Sequence, residues 1–138
     1  MKLIKPTVEI IDQKFTEGDR INDMLKHIEL CGRVSYKSED KATENSFLDF
    51  VAARLKDGHT SIMEQGTIYL RYDFKAGEDS NTIARRLWSK YVDNPYSEAV
   101  QAQPIPGIPN GFVAVTTNYR VILENNWTED LQYICSPT

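Results

Sequence analysis

Apolar residues recur at helical spacing in two stretches of the first half of the chain. Asp19 can cap a helix, and the residues after it predict one. Its apolar residues follow at steps of three and four, which puts them on one face: Ile21, Met24, Leu25 and Ile28. A second helix is predicted over residues 44–56, and its apolar stripe comprises Phe47, Leu48, Val51 and Leu55. Gly32 predicts that the first helix loosens, residues 35–40 form a polar loop, and Gly58 is suited to end the second helix.

Strands and further helices follow from the remaining pattern. Residues 66–74 alternate, with Ile68, Leu70 and Tyr72 on one face, which is typical of a strand with one buried face. Further strands are predicted at residues 8–12 and 112–115, a turn at 76–80 and an irregular loop at 103–110; helical segments are predicted at 81–92, 117–126 and 129–134.

This order of elements indicates the fold class. Strands and helices are mixed along the chain, which favours an α+β (mixed α/β) fold with a small sheet packed against helices. The 138 residues suffice for one domain spanning residues 1–138.

Composition and charge exclude several classes of function. The net charge of −4 makes the chain a poor general nucleic-acid binder, because such binding needs a surplus of cations. No apolar stretch approaches the ~20 residues of a membrane span, and residues 1–6 lack the apolar core of a signal peptide. We therefore expect a cytoplasmic protein that does not bind membranes. Its two cysteines, Cys31 and Cys135, are then expected to be buried thiols rather than a disulfide.

The densest group of reactive side chains lies in residues 58–65. An imidazole, hydroxyls, a carboxylate and an amide follow Gly58, between a predicted helix and a predicted strand. Connecting loops of this kind commonly carry function. The alternative is structural, because Ser61 and Glu64 have the spacing of a capping box.

A second group lies in residues 31–36. Arg33 could hold a phosphate and Ser35 could donate a hydrogen bond to it, although a helix end with a solvated arginine explains the same residues. His27 and Cys31 have a spacing that can bind a metal, but no third ligand lies near them in sequence, so we predict no metal site.

Together the two groups resemble the N-terminal part of the flavin-dependent thymidylate synthases (thymidylate synthase complementing proteins). That family has an Arg-Val-Ser-Tyr/Phe-like segment, then a helix, then a Gly-His-x-Ser/Thr-x-x-Glu-His segment leading into a strand. Residues 33–36 and 58–64 match these segments in order and spacing, and the resemblance covers residues 8–74.

The resemblance implies an FAD site. Carried over position by position, the cofactor-binding residues are Ser35, His59, Ser61 and Glu64. The reaction would be the reductive methylation of dUMP to dTMP, with methylenetetrahydrofolate and NADPH as co-substrates. The resemblance also implies a homotetramer, so we expect a homo-oligomer.

The chain departs from the family pattern in three places. Gln65 stands where the family usually has His, and the Arg-His-Arg signature that binds dUMP is absent. Residues 78–127 are interpreted as an insertion relative to compact members. We therefore expect the N-terminal part of a longer protein, with no catalytic residue in this chain and no dTMP synthesis by it alone. The alternatives are a degenerate homologue that binds a nucleotide, a flavin or a protein, and a structural domain.

Overall fold

The computed structural model describes residues 3, 5–77 and 81–137. Within them the helices are α1 Arg20–Tyr36, α2 Phe47–Lys56, α3 Asn81–Val92 and α4 Tyr119–Glu124, and the strands are β1 Thr67–Lys75, β2 Glu98–Ala102, β3 Asn110–Asn118 and β4 Ile134–Cys135. Short 3₁₀ helices span Glu39–Lys41, Thr60–Gln65 and Thr128–Tyr133.

The strands form one antiparallel sheet in the order β2-β3-β1-β4. Strands β1 and β3 pair along their whole length, from Thr67 opposite Asn118 to Lys75 opposite Asn110. Alternate residues of β1 are buried, including Ile68 and Leu70, as the sequence predicts. The helices bury their apolar faces with this sheet in a shared hydrophobic core. The α+β prediction is therefore confirmed.

The predicted strand at residues 8–12 is wrong. This segment is irregular and outside the sheet, and Val8 and Ile10 are 95% and 83% exposed. The neighbours of β1 are β3 and β4, and the contacts with the sheet come from side chains just after this segment. Gln13 exchanges two hydrogen bonds with the Thr67 backbone, and Phe15 packs edge-on against Tyr69. An alternating pattern makes a strand only where a partner strand is available.

Helix α1 does not loosen at Gly32 but continues to Tyr36, so the predicted loop begins too early. The helix ends at Lys37, whose left-handed backbone (φ 52°) closes the last turn. Gly32 is required by packing, because an added Cβ would lie 2.6 Å from Phe50 Cζ and would overlap the side chain of Ile62. The glycine therefore permits close approach rather than a break.

Helix α2 begins at Phe47, later than predicted, and ends before Gly58, whose positive φ of 74° confirms its predicted place. Phe47, Phe50 and Val51 form its buried face, whereas Leu48 is 56% exposed. Two positions along a helix correspond to a rotation of about 200°, so Leu48 and Phe50 cannot share a face.

Helix α3 has its predicted bounds, and residues 103–110 form the predicted loop up to the start of β3. Ala76 and Gly77 form a turn as predicted, and residues 78–80 lie outside the described residues. Strand β3 extends from Asn110 to Asn118, longer than predicted, and shortens α4. Strands β2 and β4 were not predicted, whereas the helical turn near residue 129 was.

The segment interpreted as an insertion, residues 78–127, supplies α3, β2, β3 and α4. Strand β3 pairs with both β1 and β2, and its Val113 is fully buried. The segment is therefore part of the core of this domain. No helix within the described ranges has the length and apolar character to cross a membrane.

Candidate functional site

The end of α1 lies against the 3₁₀ helix Thr60–Gln65, and this contact joins the two sequence motifs. Gly32 lets α1 approach Ile62 of the 3₁₀ helix. One turn further on, the Tyr36 hydroxyl lies 3.1 Å from His59 Nδ1, a hydrogen-bond distance. The two rings are 20° from parallel with centroids 6.5 Å apart. Tyr36 and His59 thus form an exposed pair of nearly parallel rings, although they are 23 positions apart in the sequence.

Ser35 and Ser61 are both exposed on this side of the domain. Ser35 lies in the last turn of α1, and its hydroxyl donates to the Cys31 carbonyl at 3.3 Å. Ser61 lies inside the 3₁₀ helix, whose N-cap residue is His59, and no side chain caps that helix. The capping-box interpretation of Ser61 and Glu64 is therefore wrong.

Glu64 is held by an arginine that the sequence analysis did not place at the site. Arg120 Nη1 donates to Glu64 at 2.6 Å, and Arg120 Nε donates to Glu124 at 2.7 Å. Asn118 positions this arginine, because its side chain accepts from the Val121 N–H and caps α4. Arg120, in the first turn of α4, therefore bridges two exposed carboxylates, Glu64 of the 3₁₀ helix and Glu124 at the end of α4.

A small cavity of ≈ 110 Å³ lies beside this bridge. Its lining comprises Glu64, Tyr96, Asn118, Arg120, Val121 and Glu124. Cofactor sites usually enclose roughly 300–1,000 Å³, so this cavity has room for only a few ligand atoms. The described residues alone do not enclose a flavin here.

Two arginines pack on the ring of Phe50, and one of them, Arg54, also packs on Tyr36. The guanidinium carbon of Arg33 lies 4.8 Å from the ring centroid, and that of Arg54 lies 5.1 Å from it. Arg33 Nε also donates to Glu29 at 2.7 Å. The alternative interpretation of this residue, a solvated arginine at a helix end, is therefore wrong, because the Arg33 side chain is held by Glu29 and Phe50.

His27 and Cys31 form a pair on α1, with 3.6 Å between His27 Nε2 and Cys31 Sγ. Burial lowers the pKa of His27, although Asp12 opposes the shift, and burial raises the pKa of the Cys31 thiol. Neither shift favours the protonated imidazole or the reactive thiolate. Across the described residues, no group of three metal-ligating side chains is found. Cys31 and Cys135 are free and half-buried, rather than fully buried as predicted.

Three of the four predicted site residues lie along the 3₁₀ helix. His59 precedes it and lies at hydrogen-bond distance from Tyr36, Ser61 lies within it, and Glu64 lies near its end, bonded to Arg120. The fourth, Ser35, precedes Tyr36 on α1 and bonds to the carbonyl of Cys31. Sequence reasoning missed the roles of Tyr36 and Arg120. Tyr36 belongs to the quoted Arg-Val-Ser-Tyr segment, so the motif itself contained that signal, whereas Arg120 is 56 positions from Glu64.

A comparison of the chain with protein-family models, with curated proteins and with solved structures finds no match in any of the three.

Proposed function

We propose that this chain is the FAD-contacting N-terminal portion of a flavin-dependent thymidylate synthase. The observation that supports the proposal best is the contact between Tyr36 and His59. These residues belong to the two segments on which the resemblance depends, and they are neighbours in space although they are distant in sequence.

Helical geometry supports a role for Ser35 in the same site. Ser35 and Tyr36 are three and four positions after Gly32, so both flank the line along which α1 faces the 3₁₀ helix. Ser35 and Ser61 are exposed, and the Ser61 hydroxyl can donate to a diphosphate oxygen of FAD. The Ser35 hydroxyl would do so in exchange for its 3.3 Å bond to the Cys31 carbonyl. His59 would lie beside the flavin ring.

Glu64 would accept hydrogen bonds from the ribose or the adenine of the cofactor. Arg120 already donates to one of its oxygens, and the other oxygen keeps its capacity to accept. Arg120 acts in this proposal as a positioning residue, because it fixes the direction of the carboxylate.

The small cavity beside Glu64 bears on the assembly of the site. Because the cavity has room for only a few atoms, the flavin would be covered by further protein. A second copy of the chain in a homo-oligomer, together with a segment carrying the Arg-His-Arg signature, would complete the sites for dUMP, methylenetetrahydrofolate and NADPH. We place this reaction in the cytoplasm.

A flavin titration tests the assignment of the FAD residues. FAD fluorescence is recorded against protein concentration for the unaltered chain, Ser61→Ala and Glu64→Ala. Each lost hydrogen bond to a charged group is expected to weaken binding about tenfold, from roughly 1.5 kcal/mol. Ser89→Ala removes an exposed serine on α3 and serves as the matched control. Unchanged affinity in both site variants would remove the flavin assignment.

Catalysis is a separate question from binding. The chain lacks the Arg-His-Arg signature, so we expect it to bind FAD without making dTMP. A tritium-release assay with dUMP, FAD, NADPH and methylenetetrahydrofolate checks this expectation, and turnover by the 138-residue chain would contradict it.

The missing signature also favours a second candidate, a degenerate homologue that binds a nucleotide, a flavin or a protein. The intact mass of the native protein separates the two candidates. A mass well above 15.8 kDa supports the synthase, provided that the additional segment contains the signature, whereas a mass of 15.8 kDa supports the binding module.

A further inference from the structure

The groove between α1 and α2 brings three cations to one face of an acidic protein. Its volume is ≈ 600 Å³, and its charged lining residues are Arg33, Lys41, Arg54 and Asp49. Two further carboxylates, Glu29 and Asp57, pair with Arg33 and Arg54 but do not line the groove. The groove surface itself is therefore lined mainly by cations, which attract anions.

Both arginines in this groove are held in place by the protein. The Arg33 side chain is only 13% exposed, and it is fixed by its ion pair with Glu29 and by the ring of Phe50. The Arg54 guanidinium packs against two rings, with its carbon 5.4 Å from the centroid of Tyr36 and 5.1 Å from that of Phe50. Guanidinium groups fixed in this way lose little further freedom when a ligand binds.

The same arginines retain hydrogen-bond donors that the described residues leave without acceptors. Arg33 uses Nε for Glu29, and its two terminal nitrogens have no acceptor within the described part of the chain. Arg54 donates only a long bond of 3.3 Å to Asp57, which is itself half exposed. Free arginine N–H groups are suited to phosphate oxygens, with which they form paired, charge-assisted bonds.

The two arginines lie close enough together for one diphosphate. Because both guanidinium carbons lie within about 5 Å of the Phe50 ring centroid, they are at most about 10 Å apart. This upper limit permits a diphosphate in the groove to span both, and the exposed Lys41, which also lines the groove, adds a third charge.

We propose that the α1–α2 groove binds the phosphate group of a small phosphorylated molecule through Arg33, Lys41 and Arg54. This site adjoins the proposed flavin contacts, because Tyr36, which lies at hydrogen-bond distance from His59, also lines the groove and packs on Arg54. The variants separate the two proposals, because Lys41→Gln removes a groove cation and none of the proposed flavin residues.

The test is calorimetric titration of the full chain with pyrophosphate, ADP and adenosine at low ionic strength. Pyrophosphate and ADP are expected to bind, and Lys41→Gln and Arg54→Gln are each expected to weaken binding about tenfold. Arg33 is left intact, because its removal would leave the buried Glu29 carboxylate without its cationic partner. Lys56→Gln, an exposed cation on α2 outside the groove, is the matched control.

Lys41 is exposed, so Lys41→Gln should fold even if Arg54→Gln is destabilised by lost packing, which thermal unfolding would reveal. Three results would each overturn the proposal: no binding of pyrophosphate, equal weakening by Lys56→Gln, or adenosine binding as tightly as ADP. Retained pyrophosphate affinity in Lys56→Gln together with its loss in Lys41→Gln supports it.

Discussion

Asp130 anchors the C-terminal 3₁₀ helix to α3, and its removal should be the most damaging single polar change in this region. Its carboxylate is fully buried and accepts the Tyr91 hydroxyl at 2.8 Å and the Lys90 ammonium at 3.1 Å. The Tyr91 ring packs edge-on against Trp127, with centroids 4.9 Å apart. One carboxylate therefore satisfies two donors in the core.

The cost of Asp130→Ala follows from these contacts. Breaking a buried ion pair from one side costs about 3–5 kcal/mol, because the other charge stays uncompensated. Lys90 keeps 17% exposure and a second partner, Glu129, which moderates this contribution. The Tyr91 hydroxyl, left unpaired in the core, adds about 1–3 kcal/mol. We expect a total loss near 4 kcal/mol, a large part of the roughly 5–15 kcal/mol that stabilises a typical domain.

Urea unfolding followed by tryptophan fluorescence measures this loss, since Trp127 reports on the same contacts. Glu129→Ala is the control, because it removes the other partner of Lys90. The Glu129 side chain is 57% exposed, so its loss should cost less than about 1 kcal/mol. Tyr91→Phe should cost about 1.5–3 kcal/mol alone and less in the Asp130→Ala background. Two results would refute the argument: additive losses of unfolding free energy for Tyr91→Phe and Asp130→Ala, or a loss in Asp130→Ala as small as that in Glu129→Ala.

Three further predictions concern packing and pH. Gly32→Ala should lower the unfolding free energy. Overpacking against Ile62 and Phe50 costs about 1–3 kcal/mol, whereas the higher helix propensity of alanine stabilises the helix by only about 1 kcal/mol. A variant that is more stable in urea unfolding would contradict this. Burial and the bond to Asp130 raise the pKa of Tyr91, so stability should fall above pH ~10, where tyrosine in the unfolded chain ionises, by up to about 1.4 kcal/mol per pH unit. Tyr91→Phe should remove this dependence in urea unfolding at high pH, and an unchanged slope counts against it. Burial lowers the pKa of His27 in the folded chain, so the unfolded chain takes up a proton first as the pH falls below ~6.5. The free energy of unfolding should therefore decline below that pH. His27→Gln should flatten this decline in unfolding curves at pH 7 and pH 5, and a variant that is equally acid-sensitive disproves the assignment.

The elements that the sequence predicts best are those with a long, one-sided apolar pattern. The helical stripe of α1 and the alternation of β1 span several turns or pleats, so periodicity alone identifies them. Strand β2, Glu98–Ala102, was missed because alanine, glutamate and glutamine are poor strand formers, and it lies at the edge of the sheet. Strand β4 has two residues and is too short to show any period.

The candidate site was predictable only where a motif contains the contact. The segments at residues 33–36 and 58–64 supplied Ser35, His59, Ser61 and Glu64, but no pattern in one sequence gives the distance between two segments. The bridge from Arg120 to Glu64 depends on the pairing of β1 with β3, which sets the start of α4 beside the end of the 3₁₀ helix. Such a contact follows from the topology of the sheet and cannot be derived from local periodicity.

Gly32 connects the packing of the domain to its candidate site. Because glycine lets α1 lie close to Ile62, the side chains three and four positions later, Ser35 and Tyr36, come beside the segment that begins at His59. A methyl group at position 32 would force the side chains of Ile62 and Phe50 to shift. We expect this shift to loosen the contact between α1 and the 3₁₀ helix, on which the Tyr36–His59 hydrogen bond depends. If the flavin proposal is correct, Gly32→Ala should therefore weaken FAD binding without changing any proposed ligand residue. An FAD affinity that Gly32→Ala leaves unchanged in the same flavin titration would contradict this reasoning.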